Sequence, residues 1–235
     1  MIEAAISKIL SLGATVPITV KDRVYANGPN GLIAIRPPKA ETLTINTLTG
    51  IMDFNTATAM QSTMIHIVDH KTVNLIDELY QEMWLTRSTH LTAVHESPVF
   101  KFAEYYDVEM FIIALQALFV QDETTATMLK IVGNLKDEGV TNFLDDGITQ
   151  AVTAKTGIST VAMVPIPNPV TLRPYRTFME IEQPASTFVF RMKGGKGEAP
   201  KCALFEADGR MWRLEAIKSI KAWLTEKIPG IKIIA

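Results

Sequence analysis

The chain has 235 residues, 47% of them hydrophobic and 20% charged, with a formal net charge of −2. Such a composition fills a core and is too balanced for a disordered segment. It also leaves no overall positive field for nucleic acid or an anionic membrane, so any phosphate site would need a local patch.

A single cysteine, Cys202, excludes a disulfide within the chain and suits a reducing cytoplasm. In chain order, Ile2, Ile6, Ile9 and Leu10 have helical spacing and Gly13 is a stop signal. Glu3 and the lack of a basic-then-apolar leader make a signal peptide unexpected. From Thr15 to Ala40 the chain is punctuated by Pro17, Gly28, Pro29, Gly31, Pro37 and Pro38, with edge-strand runs at Ile18–Val20 and Leu32–Ile35. Residues 1–40 therefore read as an N-terminal helix and Pro/Gly-rich arm, and 41–235 as a single domain.

Thr42–Asn46 alternates as a strand does, and Leu48–Phe54 has the pattern of a short helix. Met64–Val68, Val73–Ile76 and the Trp84–Val94 run are β-like. Asp107 is placed to cap a helix over Val108–Val120, an apolar run interrupted by Gln116. It spans ~20 Å at ~1.5 Å per residue, short of the ~30 Å of a bilayer core. With almost no polar face, it is expected to be buried on all sides, in a core or in a homo-oligomer interface. A second helix follows Asp122, with Met128, Leu129, Val132 and Leu135 on one side.

The remainder is mainly β. Asp146-Gly147 and Asp208-Gly209 are hairpin-turn dipeptides, the latter joining Cys202–Glu206 to a strand at Met211–Arg213. Phe188, Phe190 and Met192 alternate with Val189, Arg191 and Lys193, the pattern of a strand with one buried face. A last helix places Leu214, Ile217, Ile220, Leu224 and Ile228 inward, and Pro229-Gly230 ends it before a strand at Ile231–Ile234. The fold class is α+β: a mostly antiparallel sheet packed against a central apolar helix and a C-terminal amphipathic one.

Several segments invite a chemical reading. His66, His70, His90 and His95 fall in one window with Asp69 and Glu96. His66 and His70 have i, i+4 spacing but lack the glutamate of an HExxH motif. On one strand they would stand ~13 Å apart at ~3.3 Å per residue, too far for a shared zinc at ~2 Å from each ligand. A metal on His66, Asp69 and His70 needs the chain to turn at Asp69; partly solvated strand positions are the preferred reading. Asp145-Asp146-Gly147 is preferred as a turn over paired catalytic acids. Gly194-Gly195-Lys196-Gly197 lacks the spacing of a phosphate loop. Cys202, in an apolar β run, is expected to be buried and inert. No cofactor is implied.

The best ligand-site candidate is Arg173–Gln183, in a stretch that otherwise reads β. Arg173 and Arg176 would hold an anion, Tyr175 or Phe178 would stack on a base, and Glu180, Glu182 and Gln183 add polar contacts. Equally, Arg176 would pair with Glu180 or Glu182 and fix strand register; this structural reading is preferred.

Five segments carry a resemblance. They are His66-Ile67-Val68-Asp69-His70, Glu109–Gln116, Leu144–Gln150, Pro174–Phe178 continuing through Glu182-Gln183-Pro184, and Phe188–Arg191. In this order they make residues 42–234 resemble, distantly, a YfdQ-like family of bacteriophage and prophage proteins. The resemblance implies a phage product in the bacterial cytoplasm and carries over no catalytic residue. Three functions follow for testing: a non-enzymatic accessory protein that binds a host protein or small anionic ligand, for instance to counteract host defence; a nucleic-acid accessory protein of replication or recombination, using Tyr175, Arg176, Phe178, Phe188, Phe190, Arg191 and Lys193; and an enzyme with an unrecognised site. The first is preferred.

Overall fold

The fold, taken from a computed structural model, is described for residues 2–13, 17–20, 23–28, 31–35, 40–58, 60, 62–78, 87–138, 143–145, 150–156, 160–165, 168–194 and 199–235. It is α+β with mostly antiparallel sheets.

Helix α1 (Ile2–Gly13) precedes an antiparallel sheet of β1 (Ile18–Val20), β2 (Arg23–Gly28) and β3 (Gly31–Ile35). Among the described residues these strands pair only with one another. Both expected edge runs are strands, and Arg23–Gly28 joins them in the middle.

The second sheet has the order β15-β5-β6-β7-β4. Its middle, β5 (Thr63–Ile67), β6 (Thr72–Asp77) and β7 (Thr89–Val94), is antiparallel. β4 (Leu43–Ile45) adds parallel at one edge and β15 (Lys232–Ile234) at the other. Helices α2 (Thr49–Thr58) and α5 (Trp212–Lys227) cover it, so that Leu48, Ile51, Ile65, Leu75, Ile220 and Leu224 share one core. At Gly50, where α2 begins, a Cβ would lie 2.6 Å from Ile45 Cδ1, so that side chain would have to shift to admit one.

The entry into α5 corrects two expectations. Asp208-Gly209 is a turn, but it starts a helix rather than a strand. Asp208 Oδ1 accepts from Arg210 N at 2.9 Å, and its carbonyl accepts from Met211 N at 3.2 Å. Gly209 and Arg210 take φ of 61° and 67°. Once the helix starts at Trp212, its buried stripe is Trp212, Ala216, Ile220 and Leu224 at i, i+4 spacing. Leu214 lies off that stripe and is 53% exposed.

A third sheet, β12-β13-β14-β8, is antiparallel and formed by β12 (Val170–Leu172), β13 (Ser186–Lys193), β14 (Lys201–Glu206) and β8 (Tyr106–Asp107). Phe188, Phe190 and Met192 face its core, as their alternation predicts. Helices α3 (Val108–Leu118) and α4 (Glu123–Glu138) complete this core with Phe111, Leu115, Met128 and Val132. Asp107 caps α3 through Met110 N at 2.9 Å, and Asp122 Oδ1 accepts from Thr125 N at 2.8 Å at the start of α4. α3 stops at Leu118 because Phe119 turns extended and bridges Pro174. The Gln121 amide then donates to the Leu115, Gln116 and Phe119 carbonyls. Within the single chain α3 is not buried on all sides: Met110 and Ile113 are half exposed, so the core alternative does not hold for that face. The sheet covers one face, α4 packs beside it, and nothing in the described part of the chain covers the other.

The last sheet, β11-β10-β9, pairs β9 (Phe143–Asp145), β10 (Gln150–Thr156) and β11 (Thr160–Pro165) antiparallel. Asp146-Gly147 and the Gly195–Gly197 part of the glycine loop lie outside the described residues, as does Trp84. No helix among the described residues is long and apolar enough to cross a membrane.

Candidate functional site

The Arg173–Gln183 segment is not a strand beyond the single Phe119–Pro174 bridge. The reason is the Gln183 side chain, which does for the local backbone what a neighbouring strand would do. Its Oε1 accepts from Arg176 N and Thr177 N, and its Nε2 donates to the Thr177 and Phe178 carbonyls. The segment joins the two large cores: Leu172 lies in one, Phe178 and Ile181 in the other. Thr177 Oγ1 also donates to the His70 carbonyl at 2.6 Å.

Where this segment meets the β5–β6 turn and the start of α5, a cavity of about 170 Å³ opens. Its floor is the Arg176 guanidinium, 3.7 Å from the Trp212 ring centroid in cation–π contact. Arg176 Nη1 donates to Glu206 Oε1 at 2.6 Å, and Nη2 donates to Ser186 Oγ. Trp212 Nε1 donates to the same Glu206 oxygen at 3.1 Å. Arg176 is only 6% exposed, yet its Nε has no hydrogen-bond partner. Burial pulls its pKa down to about 10, against the opposing pull of Glu206 and Asp208, so it stays charged at neutral pH.

His70 stands edge-on to Trp212, with ring centroids 4.7 Å apart. Lys71, Arg210 and Arg213 line the cavity too, so four cations face one lining carboxylate, Glu206. Phe102 and Val99 supply an apolar wall. A chain of net charge −2 thus concentrates positive charge at one concavity. In low dielectric, such a group of donors favours an anion.

Burial, against the opposing pull of Asp69, lowers the His70 pKa from 6.5 to about 4, helped by Arg213, Lys71 and Arg176. Burial, then Lys71, lowers that of His95. Both rings bind a proton less readily folded than unfolded. Between 6.5 and the lowered values the unfolded chain holds more protons, so stability is full above this window and falls as pH drops through it. Urea unfolding from about pH 7 to about pH 5 should show that decline, and His70→Gln should flatten it. An unchanged slope in the variant would assign the decline to other groups.

Of the six residues singled out in the sequence, Arg176 alone lines the cavity. Arg173 pairs with Glu182 at the surface. Tyr175 bonds through its backbone, its N–H to the Leu118 carbonyl and its carbonyl to Ser97 Oγ. Glu180 Oε1 accepts from Leu48 N at 2.7 Å and Thr49 N at 3.1 Å, capping α2. Gln183 is the internal brace already described. The pairing weighed for Arg176 runs to Glu206 instead of Glu180 or Glu182.

The histidine window separates. The chain does turn at Asp69, whose Oδ1 accepts from Lys71 N at 2.7 Å. His66 remains on β5 opposite Asn74, and His70 faces Trp212. His90 Nε2 lies 2.6 Å from Asp77 Oδ1, and His95 packs against Phe178. Among the described residues, no three His, Cys, Asp or Glu side chains gather as a metal site. Cys202 is fully buried, and burial pushes its thiol up to about 12, the inert state expected of it.

Sequence reasoning missed Lys71, Glu206, Arg210, Trp212 and Arg213 as site residues. The Arg210-Met211-Trp212-Arg213 cluster was the available signal, hidden by its reading as a strand. No protein-family model, curated protein or solved structure matches the chain.

Proposed function

We propose that this chain is a non-enzymatic, phage-encoded accessory protein that holds a small anionic ligand in the Arg176–Trp212 cavity. The observation that carries the reading is a buried arginine with an unpartnered Nε, lining a concavity with three further cations. Four cations against one lining carboxylate leave an excess of positive charge at the cavity, which a bound anion offsets. The volume is below the ~300–1,000 Å³ of pockets for drug-sized molecules, so the ligand is a phosphate ester or carboxylate with a small apolar body against Phe102. The lining hydroxyl, Ser97, already donates to the Tyr175 carbonyl at 3.4 Å, which favours binding over nucleophilic chemistry. The phage assignment rests on the sequence resemblance, and sequestering a host ligand is the corresponding role.

The nucleic-acid reading is less favoured because three of its four rings, Phe178, Phe188 and Phe190, are fully buried, and stacking needs an exposed face. Calorimetry with inorganic phosphate and phenyl phosphate at low ionic strength tests the proposal. Both should bind, phenyl phosphate more tightly. Arg210→Glu with Arg213→Glu, two exposed positions, should weaken binding by about tenfold or more, since each charge-assisted bond is worth ~1.5–3 kcal/mol. No binding of either probe, or binding unaffected by the double variant, would overturn it.

A further inference from the structure

The arm and the open face of α3 are both apolar, and a single chain leaves both uncovered. Directly paired residues share a face of a sheet, and faces alternate along a strand. The register places Ile18, Val20 and Leu32 on one face of the β1–β3 sheet and Val24, Ile33 and Ile35 on the other. All six are exposed, from 36% for Val24 to 57% for Ile33. In α1, Ile2 and Ile6 are exposed at 78% and 52%. No described residue of the arm belongs to either core. A three-stranded sheet is stable when an apolar face is packed, and here both lie open.

On the body, Met110 and Ile113 of α3 border a groove of about 340 Å³, with Ala117 and Leu118 along it and one cation and one acid, Lys101 and Glu104, in its lining. Glu104 meets Lys101 only at 3.8 Å, both well exposed, a pairing worth little. The charges are complementary. Residues 1–40 hold five Lys or Arg and two acids, a net +3; residues 41–235 hold 18 and 23, a net −5. An apolar, basic arm and an apolar groove on an acidic body therefore stand unmatched in the same chain.

We infer that the arm of one copy docks on the α3 groove of a second copy, and the second arm on the first, in a two-fold dimer. The reciprocal exchange covers both surfaces twice with one contact type, as a closed two-fold interface requires. It places aliphatic side chains of β3 between Met110 and Ile113, and it borders the Arg176 cavity at Val99, which lines both concavities.

Light scattering during size-exclusion of the full chain should give twice 26.0 kDa. Ile33→Glu with Ile35→Glu, and separately Met110→Glu with Ile113→Glu, should each give a monomer. All four positions are solvent-facing in the single chain, so circular dichroism should be unchanged. Mixing the two monomeric variants should restore a dimer, because one intact arm then meets one intact groove. A monomeric wild type at micromolar concentration would overturn the inference. So would an α3 variant that stays dimeric, which would mean that arms pack on arms, or a mixture that fails to reassociate.

Discussion

Phe178→Ala should lower the free energy of unfolding by about 3–5 kcal/mol, measured by urea denaturation. The ring is fully buried in the core between the five-stranded sheet and α5, where it meets His95 at 5.8 Å between centroids. Its backbone is held by Gln183, so the segment has little freedom to collapse into the space that a lost ring leaves. The cavity term of a large-to-small change is largest where the surroundings cannot relax. Met179 offers an internal control: one residue on and 64% exposed, its replacement by alanine should change stability by no more than about 0.5 kcal/mol. Equal effects at both positions would mean that the segment is not packed as described.

Arg176→Met should cost about 3–5 kcal/mol, the range for a buried ion pair that loses one partner. The methionine keeps the apolar stem over Trp212, so the loss reports on charge and hydrogen bonding rather than volume. Glu206, 22% exposed at its side chain, is left without its cation. Adding Glu206→Gln should recover part of the loss, since the pair is coupled and single effects do not add. The single variant should also abolish phosphate binding; undiminished binding in a folded Arg176→Met protein would place the anion elsewhere. A cost under about 1 kcal/mol would mark the pair as behaving like a surface salt bridge.

Local signals in the sequence were well read wherever a residue's partner lies a few positions away. The alternation of Phe188, Phe190 and Met192 found its core face, and Asp107 and Asp122 cap the helices they precede. The α+β class followed from such signals. Where partners are distant, the sequence was silent. Glu180 reads as a strand acid until Leu48 and Thr49, more than 130 residues earlier, donate to it. Gln183 looks like a ligand contact because nothing local marks it as a brace for its own segment. The cavity is assembled from residues 70–71, 97–102, 176 and 206–213; beforehand Arg176 stood out as an arginine in an unusually polar stretch, and His70 only as a possible metal ligand. Of the stripe expected for α5, Ile220, Leu224 and Ile228 are buried and Ile217 packs against them, whereas Leu214 is misplaced because Trp212 and Ala216 carry the buried face of the first turns.

The parallel edge strands of the five-stranded sheet bear on how the chain is made. β5 finds one neighbour, β6, within a few residues, but the other, β15, comes about 170 residues later. During synthesis the β5–β7 meander therefore emerges with one side unpaired, and it stays so until β15 has been made. Its exposed N–H and C=O groups are a template for strands of other chains. For this protein the interval between making β7 and making β15 is the period of greatest exposure to aggregation, and a delayed non-local pairing of this kind slows completion of the sheet.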